Sequence, residues 1–428
     1  MEEFFKGKTM KCDEALRLFL SKIRVRPLEI LNIDVLESLG FILAEDVYAS
    51  VDVPPFDRAA MDGYAVRAED IFSASEENPI ILRIIGKSVV GLPFSGSVKS
   101  GEAVKVDTGA KMPKGTNAVV PCEFVEEKGE RIYVLKSVAP YENVSKRGED
   151  IRRGDLLLKR GIRISPWDAA ILKSALVKQV KVFRRPRIAI FSCGNELVDD
   201  AREDELVNLG RVIDSSRIMI KKLLVQNYCD VIDLGIAKDE VNDIKKKILE
   251  AIKISDLLIT LGGTSLGEHD LILNSLRSIK GSEIIVHGVS MRPGKPIILS
   301  TINGFPIISL PGPPVAAFLG FILFAKPTIE KISGLQGVYI PRIIVAETAK
   351  RIPSKPGIKH LVRVRVVRKD NKYFAYPIRA GGAGVLSSIV KADGLVIVPE
   401  DKEGFEAGET VEVLLLRDRI GVWDEENF

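Results

Sequence analysis

The chain has 428 residues, 46% hydrophobic and 28% charged, and its 62 basic and 58 acidic side chains leave a net charge of +4. At roughly 100–200 residues per domain, that length calls for two to four folded units, and the near-average composition excludes disordered and collagen-like classes. Balanced charge, with no basic stripe interleaved with aromatics, argues against a nucleic-acid partner.

The opening MEEFFKGK is acidic and lacks an apolar core, so no signal peptide is expected. The longest strongly apolar run, 315–325, is about half of the ~20 residues a bilayer crossing needs, so a cytoplasmic protein with no membrane partner is expected. Cys12, Cys122, Cys193 and Cys229 show no C-x-x-C spacing, and the only histidines are His269, His287 and His360. Neither a zinc site nor a disulfide framework is expected from that set.

Residues 11–25 place Leu16, Phe19, Leu20 and Ile23 on one face of an amphipathic helix, with Asp13 near its positive N-terminus. From Val47 to Ala139, short β-branched runs (IILRII, AVKVD, AVVP, IYVL) alternate with Gly/Pro clusters and predict a small β-rich domain. Ser165, Pro166 and Asp168 form a capping-box-like helix start, and Arg184-Arg185-Pro186 reads as a boundary. Beyond it, the apolar runs RIAIFS, DVIDLGI, DLLITL, EIIVHGV and FPIISL alternate with helical spacing at 214–226, 239–253, 270–279 and 314–333. This alternation predicts a mostly parallel sheet covered on both faces, with ligands at the carboxyl ends of its strands. From Gly337 to Leu416 a second all-β module follows, in which Val362, Val364 and Val366 face one way and Arg363 and Arg365 the other.

The loop from Leu261 to Asp270 (LGGTSLGEHD) lies between a strand and a predicted helix. Its glycines let backbone approach an anion, amide N–H groups and the helix N-terminus supply donors, and Asp270 sits where it could hold a cation or position water. The loop fits neither the P-loop nor the Rossmann fingerprint; an ordinary glycine-rich turn is the plainer alternative. Glu196, Asp214 and Ser215 fall at strand or helix ends that can converge on one crevice, although Asp214 also suits a simple N-cap. Arg292 and Lys295 flank a rigid Pro293-Gly294 turn suited to a tetrahedral oxyanion, and LPGPP at 310–314 is a second stiff turn. The segments 54–66 and 107–113, which include Asp57, Arg58 and Asp62, are crowded with polar residues in a domain too small to hold a cleft. Their surface is therefore expected to face another domain or subunit.

The motifs PPFDRAAMDGYAV, DTGAKMPKGTNAVVPCE, RGEDI, CGNELV, VIDSS, GGTSLGEHD, MRPGKP, LPGPP and ADGLVIVP occur in this order. Together they resemble the MoeA family of molybdopterin molybdenumtransferases over essentially the whole chain, and are similar to the E domain of gephyrin. The resemblance implies an α/β multidomain fold. A MogA-like, mostly parallel α/β sheet domain would span 8–25 and 183–334, and a small β-rich domain 49–139. An elongated linking and dimerisation domain would span 26–48 and 140–182, and a C-terminal β-barrel-like domain 335–425. The implied activity is insertion of molybdate or tungstate into adenylylated molybdopterin with release of AMP, assisted by Mg2+ or another divalent cation. The implied assembly is a homodimer acting downstream of a MogA/MoaB-type adenylyltransferase.

Carried over by motif, Asp62 and Thr108 would reach across the dimer. Asp150, Glu196, Asp214, Ser215, Asp239 and Asp270 would line the cleft with Gly262, Gly263, Thr264 and Ser265. Arg292 and Lys295 would hold the oxyanion, with Gly294, Pro311 and Gly312 in the adjoining turns and Ser387 and Ser388 at the border. Asp270 and then Glu196 are the implied carboxylates for metal and water. The chain departs from the family pattern at Ser145, which stands for a frequent Arg and leaves that contact to Lys146 or Arg147. Other departures are Cys193 for Thr, Ser216 for Asn, Arg292 for Lys and Pro313 for Asn. A non-catalytic gephyrin-like scaffold or cofactor carrier is the competing reading, disfavoured by the presence of Asp62, Asp270, Arg292 and Lys295. The preceding adenylylation step is disfavoured by the additional β domains.

Overall fold

The computed structural model describes residues 9–264, 270–338, 340–378 and 382–420. The chain forms two compact units, one of Leu31–Val182 and one built from the segments on either side of it.

The larger unit contains, in chain order, α1 (Cys12–Lys22), β1 (Arg187–Cys193), α2 (Ser215–Gln226), β2 (Asp230–Ala237), α3 (Val241–Ile254), β3 (Leu257–Leu261), α4 (Leu271–Arg277), β4 (Ser282–His287), β5 (Ile298–Ile302), β6 (Phe305–Leu310), α5 (Pro314–Gly320) and α6 (Lys326–Ser333). Six strands pair in the order β2-β1-β3-β6-β5-β4. The first four are parallel, as the strand–helix alternation predicts, and β5 and β4 complete the sheet in antiparallel pairing. β3 and β6 are buried along their whole length, the pattern required of strands covered on both faces. Because successive side chains point to opposite faces, Ile188 and Ile190 join one core with Phe19 of α1, Ile220 and Leu224 of α2, and Phe318 of α5. Ala189 and Phe191 join the other core, with Ile244 and Ile248 of α3 and Ile272 and Leu276 of α4. Fully burying a side chain such as Phe19 contributes about 2–3 kcal/mol.

The same unit carries β7 (Ile343–Thr348), β8 (Lys359–Lys369), β9 (Lys372–Pro377), β10 (Gly394–Val398) and β11 (Thr410–Leu415). They run β8-β9-β7-β11-β10, and β10 pairs back onto β8, closing a barrel that leaves none of the five with an open edge. Val364, Val366, Val396 and Val413 belong to its core. Arg363 and Arg365 point the other way, but they are 7% and 6% exposed. Leu361 and Leu395, which share their face, belong to the core of the parallel-sheet layer, so this side of the barrel is covered rather than solvated.

The unit Leu31–Val182 holds a six-stranded sheet in the order Ala118–Pro121, Gly63–Val66, Glu102–Val106, Ile80–Ser88, Arg131–Val134, Val125–Lys128. A smaller core gathers Val35, Leu43, Leu158, Leu172 and Val182 beneath the helix Pro166–Ser174. That helix begins with the expected capping box. The Asp168 N–H donates to the Ser165 hydroxyl at 3.4 Å, and the Ser165 N–H donates to the Asp168 carboxylate at 2.9 Å. Among the described residues no helix is long and apolar enough to cross a membrane.

Candidate functional site

At the carboxyl ends of β1, β3 and β6, a cleft of about 420 Å³ is lined by Glu196, Asp214, Ser215, Gly262, Thr264 and Gly312 among others. Its glycines allow three strand ends to meet. Gly262 has φ +76°, and a Cβ there would lie 2.6 Å from the Cys193 carbonyl oxygen; a Cβ on Gly312 would lie 3.4 Å from the Gly262 Cα. The Gly262 N–H donates to the Leu310 carbonyl at 3.0 Å. Gly263 and Thr264 continue the lining, and the buried Thr264 hydroxyl has no hydrogen-bond partner among the described residues. Ser265, with Glu268 and His269 of the same motif, lies outside the described residues.

Asp214 combines both readings open to it from the sequence, since it caps α2 and also lines the cleft. One carboxylate oxygen accepts the Arg217 N–H at 3.1 Å, and the other accepts Arg217 Nε at 2.8 Å. Asp214 is 3% exposed. Burial pushes its carboxyl above the ordinary range, against the Ser192 hydroxyl and then the Arg217 N–H, while the negative charges of Asp233 and Glu196 push it the same way as burial. Ser215 opens the helix at the cleft, and the next hydroxyl, Ser216, donates to the Gly312 carbonyl at 2.6 Å, tying α2 to the 310–314 turn. Glu196 is exposed and its carboxylate folds over Gly194, 2.7 Å from where a Cβ would sit.

Asp239 and Asn195 are joined reciprocally: the Asn195 N–H donates to the Asp239 carboxylate at 3.0 Å, and the Asp239 N–H donates to Asn195 Oδ1 at 3.2 Å. Asp239 thus fastens the loops after β1 and β2 together and is not among the residues lining this cleft. Asp270 is 1% exposed and caps α4: Oδ1 accepts the Leu273 N–H at 2.7 Å, and Oδ2 lies 3.4 Å from His287 Nε2. Each of its oxygens therefore has a protein neighbour, whereas Glu196 faces open space. Among the described residues no group of three or more His, Cys, Asp or Glu side chains is arranged to hold a metal.

Arg292 lines a second pocket, of about 590 Å³, with Lys350, Arg351, His360 and Arg363. It pairs with β8 in parallel, in register with His360. Burial pushes the His360 imidazole below its ordinary range, and the charges of Arg292 and Arg363 push it the same way. Sequence reasoning found Arg292 but missed Lys350, Arg351, His360 and Arg363, which come from segments far along the chain. The one available signal was an arginine inside a valine-rich strand. Lys295, the other cation of the turn, is exposed and is not among the lining residues. Gly294 between them has φ +116°, and a Cβ there would lie 3.6 Å from the Ala316 carbonyl of α5, so the turn leans on the helix that opens at the cleft. Pro311 is buried, and Pro313 precedes α5 without a side-chain cap. The Val315 N–H of α5 donates to the Ala383 carbonyl at 3.0 Å. Ser387 is exposed, while Ser388 is buried and donates to the Val385 carbonyl at 2.6 Å.

In the unit Leu31–Val182, Asp62 and Thr108 meet. The Thr108 N–H and hydroxyl both donate to the Asp62 carboxylate, at 2.6 and 2.9 Å. The N–H foremost, then the hydroxyl, hold that carboxyl below the ordinary range. Asp150 is exposed, and its N–H donates to the Val53 carbonyl at 3.2 Å. Ser145 bonds to Glu149 and accepts Arg58 Nε at 3.2 Å. Of the cations left to replace the frequent Arg, Arg147 pairs with Asp52 at 2.5 Å, and the Lys146 ammonium stands 3.9 Å from the centre of the Tyr141 ring.

Three family models match in succession: the MoeA N-terminal region (domain I and II) at residues 10–175, the Probable molybdopterin binding domain at 189–331, and the MoeA C-terminal region (domain IV) at 345–416. A Methanocaldococcus jannaschii protein named for molybdopterin biosynthesis is 40% identical over 392 residues, 90% of this chain and 92% of that one. A Staphylococcus epidermidis molybdopterin molybdenumtransferase is 33% identical over 388 residues, 90% and 91% of the two chains. The crystal structure of a molybdopterin biosynthesis moeA protein from Pyrococcus horikoshii superposes with a TM-score of 0.83 at 32% identity, covering 95% of this chain and 100% of that one. With the parallel-sheet layer, the closed barrel and the whole span of the chain matched, the protein belongs to the MoeA family.

Proposed function

We propose that the chain is a molybdopterin molybdenumtransferase of molybdenum cofactor biosynthesis, inserting molybdate or tungstate into adenylylated molybdopterin and releasing AMP. The observation that carries this reading is the presence, within one folded unit, of a strand-end cleft and a separate pocket ringed by Arg292, Lys350, Arg351 and Arg363. A nucleotide-tagged pterin suits the first, where Thr264, Ser215 and the backbone at Gly262 and Gly263 offer donors and Asp214 and Glu196 offer acceptors. A tetrahedral dianion suits the second, where the guanidinium groups of Arg292 and buried Arg363 and the Lys350 ammonium gather positive charge, Arg351 being paired with Glu406. Lys295, exposed beside that pocket's Arg292, is assigned to guiding the oxyanion in.

Mg2+ ordinarily takes one or two carboxylates together with substrate phosphates and waters, so the donor set fits it without a three-ligand cluster. Glu196, exposed at the cleft, would hold it, whereas Asp270, buried with both oxygens engaged and not among the cleft's lining residues, does not fit as a second ligand; bound at Glu196 the ion would offset the charge of the phosphoanhydride. Domain limits of 8–25 with 183–334, 49–139, 26–48 with 140–182, and 335–425 are assigned on the same reading, as is a cytoplasmic location. Because the substrate arrives adenylylated, a MogA/MoaB-type adenylyltransferase must supply it. A homodimer is supported by exposed Leu36 and Trp167 (both 74%) and Leu176 (60%), since the turn carrying Leu36 packs on the helix carrying Trp167 and adjoining exposed apolar side chains mark interfaces.

Purified protein given adenylylated molybdopterin, molybdate and Mg2+ is expected to release AMP. Arg292→Ala is expected to raise the KM for molybdate about tenfold, equivalent to ~1.4 kcal/mol of lost oxyanion binding. Absence of AMP from the native protein, or an unchanged molybdate KM in the variant, overturns the corresponding assignment.

A further inference from the structure

We infer that Arg217 is a positioning residue whose guanidinium fixes the Asp214 carboxylate at the cleft, so that affinity for the cleft's ligand depends on the pair rather than on Asp214 alone. Arg217 stands in the first turn of α2 yet is only 3% exposed, which for an arginine requires charged partners. It has three. Nε meets Asp214 at 2.8 Å, and the two terminal nitrogens meet Asp233 of β2 and Asp199 of the loop after β1.

The three carboxylates do not depend on Arg217 equally. Asp233 also accepts Lys221 Nζ at 2.5 Å and the Gly235 N–H at 2.9 Å, and Asp199 is largely exposed to water. For Asp214, by contrast, Arg217 is the only ion-pair partner among the described residues. It holds both oxygens, one through its backbone N–H and the other through Nε. A carboxylate has about four lone-pair sites, so capacity remains for N–H or O–H donors of a ligand in the cleft that Asp214 lines. With Arg217 removed, a buried carboxylate would keep the Ser192 hydroxyl, which favours its ionised form, but lose its one ion-pair partner among the described residues, and with it the two donors that hold both of its oxygens. Asp233 and Asp199 would keep other means of stabilisation.

The inference rests on the transferase reading only for the identity of the ligand, adenylylated molybdopterin. The test is a double-mutant cycle in AMP release among the native chain, Arg217→Met, Asp214→Asn and the double variant. Arg217→Met is expected to raise the KM for adenylylated molybdopterin about tenfold while kcat changes less than about twofold. In the Asp214→Asn background the same change is expected to add less than about twofold, because the two residues act as one unit. An equal KM effect in both backgrounds overturns the inference. So does a loss confined to kcat that tracks thermal stability, which would make Arg217 a purely structural tie between α2 and β2. If Arg217→Met does not fold, Arg217→Lys serves in the cycle: it keeps the charge without the fork and is expected to give a smaller KM increase with the same dependence on Asp214. If the native chain releases no AMP, the transferase reading fails, and the same cycle read by equilibrium binding of molybdopterin decides the role of Arg217.

Discussion

His360 lies among Arg292, Arg363 and Arg351 in the barrel pocket, and its Nδ1 is buried without a hydrogen-bond partner among the described residues. Burial first, then the charges of Arg292 and Arg363, hold its pKa below 6.5. An imidazole with a depressed folded-state pKa binds fewer protons in the native chain than in the unfolded one. Its contribution to stability is therefore complete above pH 6.5 and is lost as pH falls through the folded-state value. The urea midpoint of the native chain should thus fall on acidification below pH 6.5 more steeply than that of His360→Asn. A bound dianion acts in the opposite direction by favouring the protonated ring. Molybdate affinity should accordingly rise on acidification in the native chain, and the variant should lose that rise. Equal slopes in the two proteins would remove His360 from the pocket's electrostatics. The sequence pointed to Arg292 through its Pro-Gly turn, but no local pattern around His360 marked it, because its neighbours in the pocket arrive by strand pairing.

The elements that form the cleft were legible where a pattern is local. Strands β1, β2, β3 and β6 announce themselves as apolar runs bounded by turn residues, and the capping box at Ser165 follows from residue types at fixed spacing. β5 was missed because its residues follow directly on the 291–296 motif. Asn303-Gly304, both with positive φ, carries the signal of a two-residue hairpin joining β5 to β6. The burial of Arg363 and Arg365 was not legible, since alternating Val and Arg reads as one dry and one wet face until a second layer covers the latter. Gly262 belongs to this scale, because its conformation decides how three strand ends converge. An alanine there would take φ +76° and place Cβ 2.6 Å from the Cys193 carbonyl oxygen. Gly262→Ala should lose at least about 2 kcal/mol by urea unfolding and lower kcat/KM through displacement of the loop. Gly357→Ala is the control: its φ is +83° and nothing lies within 4 Å of the added Cβ, so it should lose only roughly 1 kcal/mol. Equal losses at the two positions would show that backbone conformation alone, and not the close approach of the strand ends, fixes glycine at 262.

At the scale of the whole molecule, the proposed site residues fall in two separately folded units. Asp214, Glu196, Arg292 and their neighbours belong to one, and Asp62, Thr108 and Asp150 to the other. The geometry of the Asp62–Thr108 pair makes sense of that distribution, because it presents an exposed carboxylate, kept ionised by two donors from Thr108, on a unit with its own cores. The pair ties two loops 46 residues apart in sequence, yet neither residue is buried, so its carboxylate is open to a partner. In the proposed homodimer, the reading to be tested is that Asp62 of one subunit would serve the cleft of the other. The arrangement can be tested without a structure of the assembly. Asp62→Ala and Glu196→Ala chains are each expected to be nearly inactive, but unfolding and refolding them together in equal amounts should restore about a quarter of native AMP release. Half of the random dimers would then be mixed, and in each of those one of the two shared sites would carry both native residues. If each site were completed within a single chain, every site in the mixture would carry one defect and no activity would return. A monomer in solution would give the same negative result, and sedimentation would separate that case from a dimer whose sites are not shared.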